Sequence, residues 1–189
     1  MNYPNGLNNR KMRKTTIYSN RGMTLENDIN VSNEYYIETD KAYIYKKPTP
    51  IKITKVDYPS RDKAVIKEAF FTVPSTTDYN GIYKGKYIDF EAKETKSKTS
   101  FSLNNIHSHQ IKHLNNIINH NGIAFLIVRF SSLNETYLLM ANDLIDFVNN
   151  KARKSIPLSY FKDKGYILKD GYNLRINYLD IVDQIIGGN

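Results

Sequence analysis

Cysteine is missing from this 189-residue chain. Its absence excludes disulfides, thiol catalysis and cysteine-based zinc sites. It also fits a reducing compartment, so a cytoplasmic location is expected. Long apolar runs are missing too: the longest, Ile123 to Val128, is far too short to span a bilayer. The opening residues, MNYPNGLNNRKMRKTT, lack the apolar stretch of a secretory leader. No membrane partner is therefore expected. The chain has no GxxxxGK[ST], no GxSxG and no HExxH, which removes the P-loop, the serine-hydrolase elbow and the metalloprotease helix. His109 and His113 have the i, i+4 spacing of zinc ligands, but neither a cysteine nor a motif completes a site.

Basic charge is abundant. The formal net charge is +8, an excess that points to an anionic partner, with nucleic acid the first candidate. Residues 1–16 carry Arg10, Lys11, Arg13 and Lys14 without an acid and have little that could enter a core. They are expected to form a flexible basic arm that clamps phosphates. From Lys41 to Lys67 eight basic residues face two acids. Lys46, Lys47, Lys52, Lys55, Arg61 and Lys63, interleaved with Tyr43, Tyr45 and Tyr58, suit a surface lying against nucleic acid.

The periodicities predict a mixed α/β core. A helix is expected from near Ser19 or Asn20, with Leu25, Ile29 and Tyr36 on one face and Glu26 beside it. AYIYK, IKITKVDY and VIKEAFF read as strands, with the prolines of KKPTP between them. The segment SLNNIHSHQIKHLNNIINHNG reads as a helix with an Ile111, Leu114, Ile117, Ile118 stripe, ended by Asn121-Gly122. IAFLIVRF reads as a central buried strand and TYLLMA as its neighbour. NDLIDFVNN reads as a helix capped by Asn142, RKSIP as a basic loop and YLDIVDQII as a C-terminal amphipathic helix.

The chemistry concentrates in TTDYNGIYKGKYIDFEAKETK, residues 76–96. Strand alternation puts Tyr87, Asp89, Glu91 and Lys93 on one surface, with Ile88, Phe90 and Ala92 on the core side. Asn80-Gly81 and Lys84-Gly85 are turn signals, and a hairpin-like return brings Asp78 beside Glu91. Two carboxylates held together repel, so they favour a bound cation or a shared proton. Oxygen ligands of this kind, with water and a substrate phosphate, suit Mg²⁺. A neighbouring lysine, Lys93, can stabilise charge developing on phosphate.

The resulting pattern, D-x12-E-x-K, is that of the PD-(D/E)xK nucleases, although Thr77 rather than proline precedes the acid. NYPNG, YSNRGMTLE, KKPTPIKI, VIKEAFF, STTDYNGIYKGKYIDFEAKETKSKTSF and HSHQIKH, in this order, resemble the RecU family of Holliday-junction resolvases. That resemblance implies a restriction-endonuclease-like mixed sheet flanked by helices, within a single domain at 17–189 that carries a projecting stalk at roughly 46–74. It further implies a homodimer that nicks opposed strands of a four-way junction with Mg²⁺ or Mn²⁺, together with the RecA recombinase and branch-migration proteins. It assigns metal-site roles to Thr76, Asp78, Glu91 and Gln110 and a transition-state role to Lys93. Glu26 is a possible further acid near the site. Gln110 also lies on the apolar side of its helix, four and seven residues before Leu114 and Ile117. The competing reading is a junction-binding accessory protein that needs the basic surfaces but not the acid pair.

Overall fold

A computed structural model of the chain describes residues 24–72, 76–150, 153–171 and 174–187. The basic arm at 1–16 lies outside the described residues. Helix α1 (Leu25–Glu38) leads to strand β1 (Tyr43–Lys46). A separate ribbon follows, β2 (Ile51–Asp57) and β3 (Val65–Phe71), with a 3-10 turn at Arg61–Lys63 between them. Next come β4 (Tyr79–Tyr83), β5 (Lys86–Thr95), the short β6 (Ser100–Ser102) and α2 (Ser108–Asn119). The chain continues through β7 (Ile123–Phe130), β8 (Glu135–Met140) and α3 (Ala141–Asn150). It ends with β9 (Ser155–Pro157), α4 (Leu158–Lys164), β10 (Tyr166–Leu168) and α5 (Leu179–Gly187).

The main sheet runs β1-β4-β5-β7-β8-β10. β5 and β7 are parallel; the other neighbours are antiparallel. The parallel pair needs a crossover, and β6 with α2 provides it. Every residue of β7 is buried, Arg129 included, as its nearly continuous apolar run requires for a strand covered on both faces. Phe125 and Ile127 join one core with Leu25, Ile29, Tyr36 and Leu179 from α1 and α5. Ala124, Leu126 and Val128 join the other core with Leu114, Leu144 and Phe161 from α2, α3 and α4.

The sheet is aligned beneath the future site by an aromatic row. Tyr79 pairs with Phe90 across β4 and β5, and Phe90 pairs with Phe125 across β5 and β7. The rings stack with centroids 4.8 and 4.7 Å apart, each contact contributing about 1 kcal/mol beyond its area burial. Lys84 and Gly85 close the hairpin with φ of 47° and 73°, the primed-turn geometry that matches strand twist.

Several local expectations are corrected. Thr24 is extended and caps α1 through Asn27 N, so α1 begins at Leu25; Ser19 and Asn20, where its start was expected, lie outside the described residues. Asn80-Gly81 is not a turn; it lies within β4, paired with Asp89 and Ile88. The glycine is there because β1 passes too close for a side chain: a Cβ at Gly81 would sit 2.1 Å from Tyr43 O and 2.5 Å from Ile44 Cα. Gly81→Ala is expected to destabilise the protein by about 3 kcal/mol, since the obstructing atoms are backbone; thermal melting measures the loss. Asn142 is inside α3, whose first residue is Ala141. The RKSIP loop contributes β9, which pairs with β6.

The ribbon β2–β3 has every residue exposed. Lys52, Lys55, Arg61 and Lys63 are among its exposed residues. Its base is closed by Thr72 N–H donating to Pro50 O at 3.1 Å.

Candidate active site

The register Tyr79 to Phe90 places Asp78, one residue before β4, across from Glu91. The Asp78 N–H donates to Glu91 Oε2 at 3.1 Å, and the Ala92 N–H donates to Asp78 Oδ2 at 3.4 Å. Lys93, two residues along β5, forms an ion pair with Glu91 Oε1. The three residues singled out by the D-x12-E-x-K spacing are thus brought together.

Glu91 is not on an open surface, as alternation alone had placed it. It is fully buried, and so is Asp89. Their side of β5 is level with Ala124, Leu126 and Val128 of β7, the face that α2 covers. Lys93 is the partly open member, with a quarter of its side chain exposed. Burial pushes the Glu91 carboxyl up to about 7; repulsion from Asp78 adds to the rise and Lys93 opposes it. Glu91 Oε1 is buried, and the group against it is the Lys93 ammonium.

A cleft of about 200 Å³ opens at this point between β5 and the start of α1, lined by Asp78, Lys93, Glu94, Thr24 and Glu26. Glu94 holds the helix start in place by accepting from Leu25 N–H at 3.2 Å. Glu26 reaches the cleft but is paired with Lys46.

Gln110 is buried near the start of α2, where its Oε1 accepts from His107 N–H at 3.0 Å. That bond satisfies a helix-start donor and leaves the second lone pair of Oε1 and the amide NH₂ for other partners. Thr76 is half-buried; among the described residues no hydrogen bond joins it to the carboxylate pair.

Lys47, grouped with the nucleic-acid contacts on charge alone, turns inward. Its ammonium lies 2.7 Å from Asp89 Oδ2 and 2.8 Å from Thr77 Oγ1. Asp89 also accepts from the Thr77 hydroxyl and, at 3.0 Å, from the Tyr87 hydroxyl; His113 Nε2 lies 3.2 Å away. Sequence reading had put Asp89 on the right face but gave it no role. The available signal was an acid two residues before Glu91 in a strand that otherwise wants apolar side chains.

Whether the site suits a divalent cation follows from its donors. Among the described residues no group of three or more histidine, cysteine, aspartate or glutamate side chains is arranged to hold a metal. Asp78 and Glu91 offer hard carboxylate oxygens close to one another, with the Lys93 ammonium beside them. Mg²⁺ is commonly held by one or two carboxylates, with water and substrate phosphate completing its shell. The residues present fit such an ion, and they do not fit a closed zinc site.

A hairpin in a mixed sheet carrying two apposed acids and a lysine at D-x12-E-x-K spacing is the arrangement of the PD-(D/E)xK nucleases. Comparison with known proteins narrows the class. The chain belongs to the RecU family: the family model for recombination protein U matches residues 20–184. It is 54% identical over 178 residues to the Holliday junction resolvase RecU of Bacillus cytotoxicus, covering 93% of this chain and 88% of that protein. It is 52% identical over 194 residues to the Holliday junction resolvase RecU of Geobacillus kaustophilus, covering 98% and 97%. Among solved structures, Archaeoglobus fulgidus Hjc, a Holliday junction resolvase, matches 68% of this chain and 87% of its own, at 10% identity and a TM-score of 0.40. Among the described residues no helix is long and apolar enough to cross a membrane.

Proposed function

We propose that this chain is a structure-selective endonuclease that resolves four-way DNA junctions by paired nicks. The observation that carries it is the Asp78–Glu91–Lys93 constellation beside a cleft, in a chain more than half identical to two named resolvases over most of its length. Asp78 and Glu91 would hold Mg²⁺, with Mn²⁺ as a substitute. When bound, the ion supplies an activated water and neutralises charge on the scissile phosphate. Lys93 presents a fixed cation to the phosphoryl oxygens as charge accumulates on them. The buried walls around Glu91 keep competing water from that carboxylate and strengthen its electrostatics. Thr76 and Gln110 complete the metal surroundings in this reading. Glu26 orients the cleft wall through Lys46.

A four-way junction presents two equivalent strands, which a two-fold symmetric homodimer matches. The exposed cations of the ribbon contact phosphates, and selectivity comes from junction shape rather than base edges. In this reading the protein works alongside the RecA recombinase and branch-migration proteins.

The test mixes the protein with a four-way junction and with linear duplex of the same sequence, with and without Mg²⁺, beside Lys93→Ala. Symmetric nicks in the junction alone, dependent on Mg²⁺ and lost in the variant, are expected. Binding without nicks, unchanged by Lys93→Ala, would establish a non-cleaving accessory protein instead. Junction affinity is also expected to be steeply salt-dependent. Each phosphate contact contributes about −0.9 to the slope of log K against log salt. Lys52, Lys55, Arg61 and Lys63 alone therefore give a slope of about −3.6 per subunit. A flat plot would remove the ribbon from the binding surface.

A further inference from the structure

The buried cluster around Asp89 sits outside the Asp78–Glu91–Lys93 constellation yet touches both sides of it. Asp89 is two residues from Glu91 on the same face of β5. Its carboxylate takes the hydroxyl of Thr77, the residue immediately before Asp78. The Lys47 ammonium bridges Asp89 and Thr77, while the Lys47 backbone N–H donates to Asp78 O at 2.8 Å. Thr77 is 3% exposed and Asp89 is fully buried. The segment carrying Asp78 is therefore held from two directions, by the strand that bears Glu91 and by Lys47.

Lys47 also occupies a particular place in the chain. It follows the last residue of β1, and only Pro48, Thr49 and Pro50 separate it from β2. The two prolines fix their own φ, so the link from Lys47 to the ribbon is short and stiff. The same residue that grips the Asp78 segment is the anchor of the ribbon. An exposed lysine placed for a phosphate contact would have no reason to be tied into a buried carboxylate and a buried hydroxyl.

Resting on the nuclease reading above, we propose that Lys47 and Asp89 are positioning residues. Together they set the separation of Asp78 from Glu91 and tie it to the base of the DNA-binding ribbon, so that the ribbon's seating and the metal-site geometry are fixed by one joint. Neither touches substrate. Lys47 acts through Thr77 and the Asp78 backbone, and Asp89 acts through Thr77. Groups that orient a metal's ligands from outside typically alter metal affinity or turnover by about 10- to 100-fold when removed.

The experiment uses the full chain as wild type, as Lys47→Met, and as the neutral pair Lys47→Met/Asp89→Asn. Lys47→Met keeps the aliphatic stem but leaves Asp89 without its cation, so it also lowers stability. The neutral pair removes that buried charge, while the side-chain amide oxygen introduced by Asp89→Asn can still accept from Thr77. Four readouts are taken: thermal melting, junction affinity in metal-free buffer, Mn²⁺ affinity of the free protein by calorimetry, and the single-turnover nicking rate with saturating protein. Lys47→Met is expected to nick about 10- to 100-fold more slowly and bind Mn²⁺ about tenfold more weakly, with unchanged junction affinity. The neutral pair is expected to recover the melting temperature without recovering either the nicking rate or the Mn²⁺ affinity.

Three results would overturn the inference: wild-type nicking and Mn²⁺ affinity in Lys47→Met, recovery of both with stability in the neutral pair, or a defect confined to junction affinity. The last would return Lys47 to the DNA contacts. Should the wild type fail to cut any junction, the resolvase reading falls by itself; the positioning role is then decided by the Mn²⁺ affinities.

Discussion

Replacing Glu91 by glutamine is expected to slow junction nicking by about 10³-fold in Mg²⁺, the kinetic equivalent of several kcal/mol of lost charge stabilisation. The reasoning begins with burial. Glu91 has no exposed surface, and its Oε1 meets the Lys93 ammonium. Glutamine fills nearly the same volume, so packing against α2 survives. What disappears is the negative charge that a divalent cation and Lys93 both require. Lys93→Ala is the companion variant. It leaves both carboxylates, so Mg²⁺ affinity is retained while the rate falls by about 10²- to 10³-fold, as when a single preorganised transition-state donor is removed. The two variants thus separate on metal binding: calorimetry finds weak binding in Glu91→Gln and near-normal binding in Lys93→Ala. If Glu91→Gln nicks at the wild-type rate, the carboxylate pair is a structural feature and the hairpin has no catalytic role.

The geometry of this hairpin was legible because it depends on spacing. A two-residue loop at Lys84-Gly85 fixes which residues of β4 and β5 face each other, and that register follows from sequence once the loop is placed. Residue Asp78 then falls opposite Glu91 without further assumption. The central position of β7 was equally legible, since only a strand covered twice tolerates eight buried residues in succession. Burial of Glu91 and Asp89 was not. Alternation tells which side chains share a face, but whether that face meets solvent depends on where α2 lands, a tertiary fact. The Asn80-Gly81 pair misled for a related reason. Glycine at 81 answers to the closeness of β1 rather than to a turn, and two residues from distant strands must be known before that contact exists. Lys47 shows the limit of counting charge: composition locates a basic zone, while the direction of one ammonium is decided by the buried carboxylate it meets.

The metal-free protein is expected to lose stability as pH rises from about 4.5 to about 7, and bound Mg²⁺ is expected to reverse that loss. Burial and the nearby Asp78 push the folded-state Glu91 carboxyl from 4.5 up to about 7. Between those values the native chain retains a proton that the unfolded chain has released. Stability falls with pH wherever the native state binds more protons, so the direction is opposite to that of an ordinary salt-bridged carboxylate. The full cost, reached above about pH 7, is about 3 kcal/mol at most, or roughly 6–12 °C in melting temperature for a chain of this size. Other groups titrate in the same range, so the diagnostic quantity is the difference between wild type and Glu91→Gln. The variant is expected to be the more stable of the two at pH 8 without metal and to lose that advantage near pH 5. A divalent cation favours both carboxylates in ionised form. Its stabilisation of the wild type should therefore grow between pH 6 and pH 8, while Glu91→Gln gains little at either. Parallel melting curves for the two proteins across this range would mean that Glu91 is ionised in the folded chain before any metal arrives. In the expected case the fold holds the acid pair in an arrangement that is unfavourable at neutral pH until a cation binds, and the free energy of that binding includes relief of the repulsion between Asp78 and Glu91.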